Sequence, residues 1–358
     1  MSQFIDQLCD RVEKAARSST PLRIVGGGTK NFYGGDLEGE PIDLHTWSGI
    51  IAYEPTELVM SVKAGTPLAD VESALEEQGQ ELAFEPPRFG KQSTIGGTIA
   101  AGLSGPARLA KGPVKDFILG CTLIDGKGQL LHFGGEVMKN VAGYDVSRVF
   151  PGSLGTLGIA VDLSIKVLPK APAQSTLKFE MDYNQAIRKV NQWLGTPLPI
   201  NATLYLDGVL YIRLRGAKAA VSKAVTDLNG HKVAEKTANK LWNEVRDQTH
   251  PLFNTTQDLW RLSVPQTTPD LGLKGEQLVE WGGAVRWLVP TKDTSVEMIR
   301  KVCERAGGHA TWYHYADKKS TEPAFHAPSP AMANLQRRLK EQFDPAGIFN
   351  PGRMSPLF

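Results

Sequence analysis

Three stretches of this 358-residue chain gather glycine more densely than core filling explains: Gly26-Gly27-Gly28-Thr29-Lys30-Asn31, Thr94-Ile95-Gly96-Gly97-Thr98-Ile99-Ala100-Ala101-Gly102, and Gly152-Ser153-Leu154-Gly155-Thr156-Leu157-Gly158. Glycine is costly inside regular structure and is used where backbone must bend or be approached closely. The chemistry open to such loops is that of main-chain amides, and a run of N–H groups beside a hydroxyl and an amine makes a nest that holds a pyrophosphate. Each charge-assisted hydrogen bond to it would contribute ~1.5–3 kcal/mol. The first loop is not a Rossmann fingerprint, because position 31 is Asn where the third glycine belongs. It is not a Walker A loop either, since Asn follows Lys30. A plain glycine turn explains the first loop equally well, and close helix–strand packing explains the second. The third is hardest to explain by packing alone. It runs into the β-branched stretch Ile159–Leu168, so that opened backbone is anchored by a strand. Three such loops in one half of the chain point to one large shared ligand.

The elements that must position these loops follow from periodicity. Phe4, Ile5, Leu8, Val12, Ala15 and Ala16 share one helical face. Leu22–Val25 reads as a strand ending in the first loop, and Ile50–Tyr53 and Leu58–Val62 as two more. Thr66-Pro67 reads as N-cap and first turn of a helix to about Gln78. Glu85–Gly90 is a proline-stiffened loop. Phe117–Phe133 reads as a hairpin turning at Asp125–Gly128. Beyond a linker at Pro169–Ala173, strands around 204–206 and 209–213 alternate with helices near 184–194, 217–228 and 294–305, which predicts a separate α+β unit with an antiparallel sheet. A last helix is expected at 330–342.

Composition narrows the class. Charged residues make up 22% and hydrophobic residues 41%, as in ordinary globular proteins. The net charge of +2 gives no field for nucleic acid. No apolar run approaches the ~20 residues that span a bilayer, and the start lacks a secretory pattern. Cys9, Cys121 and Cys303 are too far apart in sequence for an iron–sulfur cluster or structural zinc, so buried free thiols and a cytoplasmic location are expected.

These residues carry a resemblance. Ile24–Thr29, Val62–Gly65, Thr94–Gly97, Lys139–Asp145, Gly152–Gly158, Phe343-Asp344-Pro345 and Asn350–Met354 resemble, in order, the elements of the PCMH-type (vanillyl-alcohol-oxidase type) FAD-binding flavoproteins. Within that family the length and the Lys139–Asp145 wording are most similar to the FAD-binding subunits of bacterial glycolate oxidases. The resemblance implies an α+β fold: a PCMH-type FAD-binding domain of two α+β subdomains over 1–170, a smaller α+β cap over 171–318, and a segment, 319–358, returning to the first. It implies FAD at Gly26, Gly27, Gly28, Thr29 and Lys30 (pyrophosphate). Pro86, Thr94, Gly97 and Gly102 would lie along the cofactor, with Gly152, Ser153, Gly155, Thr156, Gly158 and Ile159 at the adenosine end and Asn350 near the flavin. Covalent members usually carry a His in the first loop; here there is none, so non-covalent FAD is expected. Relatives that grip a hydroxy acid through a metal use a His-x-His pair, absent here, so no metal is expected.

Oxidation of a 2-hydroxy acid on a flavin needs a base and a cation for the carboxylate. His314 and Tyr313 are candidates for the base, and Arg213, Arg215 and Arg286 for the cation; Arg213 and Arg215, two apart, would share a face. A packed aromatic or a salt bridge explains each of them as well. Electrons must leave to oxygen, a quinone or a partner. The resemblance implies a complex with a larger flavoprotein subunit and an iron–sulfur subunit, held by them at the inner face of the cell membrane. Three readings stand: a subunit oxidising glycolate (and D-lactate) or relaying its electrons, a self-sufficient FAD oxidoreductase for another alcohol or hydroxy acid, and an assembly subunit with weak or no FAD.

Overall fold

The computed structural model describes residues 2–135, 146–316 and 322–355. The stretch Lys139–Asp145, which contributes to the resemblance, lies outside the described residues. The chain opens with the helix Gln3–Ser18, capped by Ser2 and burying Ile5, Leu8, Val12 and Ala15 as its periodicity requires. That face packs with Leu22, Ile42, Ile159 and Phe349 in one hydrophobic cluster. Leu22–Val25 pairs in parallel with Glu40–Asp43, and Leu22 also bridges Phe349 from the far end of the chain.

A five-stranded antiparallel sheet follows, in the order Ile50–Glu54, Val59–Lys63, Ile159–Lys166, Ile118–Ile124, Leu130–Gly134. The hairpin expected at Phe117–Phe133 is present as its last two strands. The third glycine loop feeds its central strand, Ile159–Lys166. The helix Leu68–Glu77 starts one residue later than expected, with Pro67 at the cap. Thr66 does not cap it. Its hydroxyl donates to the Lys63 carbonyl and accepts from the Gly49 N–H instead.

The second sheet has eight antiparallel strands: His231–Lys232, Ala173–Glu180, Val209–Gly216, Ile200–Leu206, Gly275–Glu280, Val285–Pro290, Leu259–Ser263 and His309–His314. Helices Tyr183–Leu194, Lys218–Leu228 and Val296–Arg305 match the expected positions; Glu235–Arg246 is a further helix that the sequence reading did not place. The sheet has two apolar faces. One carries Leu204, Leu278, Trp287 and Tyr313 and packs with Tyr33, Ala101 and Leu103 of the glycine-loop unit. Trp260, Leu262 and Leu288 lie on the opposite face with Ile299 and Cys303 of the helix Val296–Arg305. Trp242, Trp260, Trp281 and Trp287 are all buried. Of the cysteines, all free, Cys121 and Cys303 are buried and Cys9 is half-buried. Among the described residues no helix is long and apolar enough to cross a membrane.

The last helix, Pro330–Phe343, leads into a knot that returns the chain to the glycine loops. Lys340 Nζ is buried and donates to the Thr156 and Phe349 carbonyls (2.7 and 3.0 Å) and to Asp344 (2.7 Å). Asp344 also accepts from the backbone N–H groups of Ile348 and Phe349.

Candidate cofactor cradle and interdomain site

The first loop leaves the strand Leu22–Val25 and turns at Gly28, φ 64°, where a side chain would be strained. It is seated on the second loop: a Cβ on Gly27 would stand 1.6 Å from the Gln92 carbonyl oxygen, and one on Gly26 2.5 Å from the Thr94 hydroxyl. The amides of Gly27, Gly28, Thr29 and Lys30 donate no hydrogen bond to any described residue. Their carbonyl sides are held from behind, because Arg353 donates to the carbonyls of Lys30 and Asn31 (both 3.1 Å) and of Gly35. Consecutive free donors of this kind form an anion nest.

Lys30 completes it. Its ammonium donates to Ser93 Oγ at 2.7 Å and lies 5.5 Å from the Phe89 ring centroid. No carboxylate pairs with it among the described residues, and burial pushes it down to about 8. A desolvated cation with hydroxyl and aromatic neighbours but no counter-charge, beside a row of unpaired amides, fits a diphosphate. FAD therefore fits the residues present.

Next to the nest runs a narrow cleft with a cavity volume of about 70 Å³. Of the expected cofactor residues, Gly26, Thr94, Gly97, Gly155, Gly158 and Asn350 line it, together with Ala64, Gly96 and Ala100. Thr94 caps the helix Ile95–Ala101 by accepting from the Gly97 N–H. The other expected residues stand behind the wall. Gly102 backs onto Gly152, where a Cβ would come within 2.7 Å of the Gly152 Cα. Ser153 and Thr156 are buried and bonded within their own loop. Ile159 is core, and Pro86 is buried in the loop leading toward the second sheet. Asn350 uses its whole amide as a strut: its carbonyl accepts from Ile24 N–H (2.9 Å) and its NH2 donates to the Leu154 carbonyl (2.7 Å).

The expected catalytic residues are not brought together. Arg213 does share a face with Arg215, but both are consumed by acids of the glycine-loop unit. Arg213 donates to both oxygens of Glu85 (2.8 and 2.7 Å) and to Asn201 (2.7 Å), and Arg215 pairs with Glu81 (2.7 Å) and Glu85 (3.3 Å). The expectation that Arg213 takes a substrate carboxylate is corrected on that ground: it is a bolt between two units. Arg286 is corrected likewise. It is wholly buried, its guanidinium donates to the carbonyls of Thr268, Pro269 and Gly283, and it stacks on Tyr183. Tyr313 is packed against Phe32, Tyr33 and Trp287 (centroids 5.5, 5.1 and 4.8 Å), and burial drives its hydroxyl far above the ordinary tyrosine range. That suits a wall rather than a base near neutral pH. His314 ends its strand beside a register shift, half-buried, with Nδ1 unpaired.

Two groups on the Tyr313 side of the sheet went unread in the sequence. Glu280 is buried, accepts from the Trp287 indole N–H (3.3 Å), and is pushed up to about 7 by desolvation. Arg261 lies over Trp281 and Trp287 (5.1 and 5.9 Å). No local motif marks either; only the strand pairing places them.

A glycine-loop unit that fits FAD, joined across a buried ionic and aromatic interface to a large antiparallel sheet, defines a flavin-binding oxidoreductase of the PCMH type. Residues 3–134 match the family described as FAD binding domain. Solved structures share this fold: p-cresol methylhydroxylase with substrate bound has a TM-score of 0.71 at 14% identity, covering 98% of this chain and 88% of that one. The 4-ethylphenol oxidase from Gulosibacter chungangensis has a TM-score of 0.68 at 15% identity, covering 98% and 87%. Along nearly its full length the chain is 43% identical, over 351 residues, to the glycolate oxidase subunit GlcE of Escherichia coli (strain K12), covering 98% of this chain and 97% of that protein. The chain belongs to the family of that subunit. The glycolate oxidase subunit GlcD of Bacillus subtilis (strain 168) is 36% identical over 161 residues, 44% of this chain and 34% of that one.

Proposed function

We propose that this chain is the FAD-binding subunit of a glycolate-oxidising complex, holding its cofactor without a covalent bond and working beside a larger flavoprotein subunit and an iron–sulfur subunit. The observation that carries the reading is the row of unpaired amides at Gly27–Lys30 beside an ammonium with no acid partner. The near-full-length likeness to GlcE supports the substrate and the complex. The boundaries near 170 and 319 divide the FAD-binding unit from the cap, with the last segment closing the former. A cytoplasmic location, with partners holding the complex at the membrane, belongs to the same reading.

When bound, FAD supplies the acceptor for the hydride leaving the alcohol carbon. The residues of this chain do the rest. The Gly27–Lys30 amides and Lys30 Nζ hold the diphosphate. Arg353 keeps the loop carbonyls turned away from that anion, and Tyr33, Tyr313, Phe32 and Trp287 form a dry wall between the two units. The test is direct. Purified chain is expected to be yellow, and acid precipitation should leave the flavin in the supernatant; flavin on the pellet refutes non-covalent binding. Under anaerobic conditions glycolate should bleach the flavin band, slowly with the chain alone and fast once partner subunits are added. Colourless protein, or a band that glycolate never bleaches even in the complex, overturns the reading.

A further inference from the structure

One aromatic surface between the units carries two cations. Arg108, from the helix Arg108–Lys111 of the glycine-loop unit, lies 4.5 Å from the Trp281 ring centroid. Arg261, from the eight-stranded sheet, lies 5.1 Å from the same centroid. Neither guanidinium makes a hydrogen bond or ion pair with any described residue, and both residues are half-buried. The indole itself is fixed: its N–H donates to the Gly105 carbonyl at 3.0 Å, and Trp281 sits at φ 52°, a strained conformation held by its surroundings. Burial, and after it the repulsion of Arg261, disfavours the charged Arg108 guanidinium, against the attraction of Asp116. Elsewhere at this interface arginines are saturated, as Arg213 and Arg215 are by Glu81 and Glu85. Asp116 and the buried Glu280 are the acids in range of these arginines, and neither hydrogen-bonds to them; two like charges against one indole disfavour each other in the empty protein, and an anion meeting both removes the conflict. Planar guanidinium groups suit a carboxylate, which each can meet with paired donors.

We propose that Arg108 and Arg261, shelved on Trp281, form a carboxylate clamp that draws one arginine from each unit and holds the acid end of the small 2-hydroxy acid. The substrate class rests on the function proposed above; the clamp itself is an anion site and is tested as one.

The test uses the FAD-loaded full chain and oxalate, a two-carbon acid with no oxidisable hydrogen, titrated by calorimetry. Wild type should bind oxalate, and Arg108→Gln and Arg261→Gln should each weaken binding about tenfold or more, while flavin content and melting temperature stay at wild-type values. Arg108→Lys and Arg261→Lys, which keep the charge and lose the fork, should weaken it less than Gln does; they also serve if a Gln variant fails to fold. Oxalate affinity unchanged in the Gln variants, or in the Lys variants where these stand in, overturns the clamp, as does a wild type that binds no oxalate. Loss of flavin from the Gln variants also overturns it, since the arginines would then be holding cofactor. Failure of the proposed function reads separately: glycolate that never bleaches the flavin in the complex refutes that function, whereas oxalate binding lost on Arg261→Gln still supports the anion site.

Discussion

Replacing Lys30 by Met probes the cradle through a quantity the structure sets. Burial lowers the Lys30 ammonium from 10.5 to about 8, so the free protein holds about 3 kcal/mol against the charged form at 1.36 kcal/mol per unit. Between about pH 8 and 10.5 the unfolded chain binds more protons at this group than the folded chain does. The stability of the cofactor-free protein should therefore rise as pH climbs through that window, and the Lys30→Met variant should lack this rise. A bound diphosphate reverses the preference, because it favours the ammonium. FAD then takes up a proton on binding above about pH 8, and its affinity falls as pH rises. Losing one charge-assisted contact of ~1.5–3 kcal/mol predicts an affinity about 10- to 150-fold weaker in Lys30→Met, with a flattened pH dependence. Flavin fluorescence titrations from about pH 7 to about pH 9, with thermal melts of the cofactor-free proteins, measure both effects. Equal affinities for the two proteins, or a wild-type affinity indifferent to pH across this range, would refute the reasoning.

Arg213→Met leaves Glu85 buried without its main partner and should cost about 3–5 kcal/mol in denaturant unfolding; the Glu85→Gln/Arg213→Met double variant should recover part of that. Glu280, raised to about 7 by burial, stabilises the fold most when protonated, so wild type should lose about 3 kcal/mol as pH rises from about 4.5 to 7. Glu280→Gln should show a flat profile there and a higher denaturation midpoint at neutral pH. Lys340→Met strips Asp344 of its ammonium in a buried setting and should lower stability by a similar ~3–5 kcal/mol, with loss of FAD affinity because Thr156 and Phe349 are released; a melt and flavin titration that match wild type would contradict this.

Much of the fold was legible because local pattern decided it. The Ile5–Leu8–Val12–Ala15 stripe and the Asp125–Gly128 turn each state their structure within a few residues, whereas the cap read at Thr66 falls one residue early because that hydroxyl bonds to Lys63 and Gly49 instead. The helix Glu235–Arg246 was missed because it has no capping side chain and buries only Ala238, Trp242 and Val245 along a highly charged sequence. The glycine loops were legible as backbone features, but sequence does not separate residues that face a ligand from those that let two strands of backbone touch. Gly27, jammed against Gln92, and Gly155, against Asn350, are required by packing alone, whatever a ligand asks of them. The charged candidates fared worst, for a physical reason. Whether an arginine is free depends on what folding brings to it, and Glu85 reaches Arg213 across 128 positions. The unpaired arginines at Trp281 are recognisable only by what fails to reach them.

The tail of the chain has a bearing on when the protein becomes competent. Asn350 braces Ile24 from 326 positions away, and Arg353 grips Lys30 from 323. A ribosome thus delivers the first glycine turn more than 320 residues before its fastenings. Until those fastenings arrive, the turn lacks the braces that aim its amides. Flavin loading accordingly waits for Asn350 and Arg353, and a nascent chain halted before Asn350 should emerge without colour.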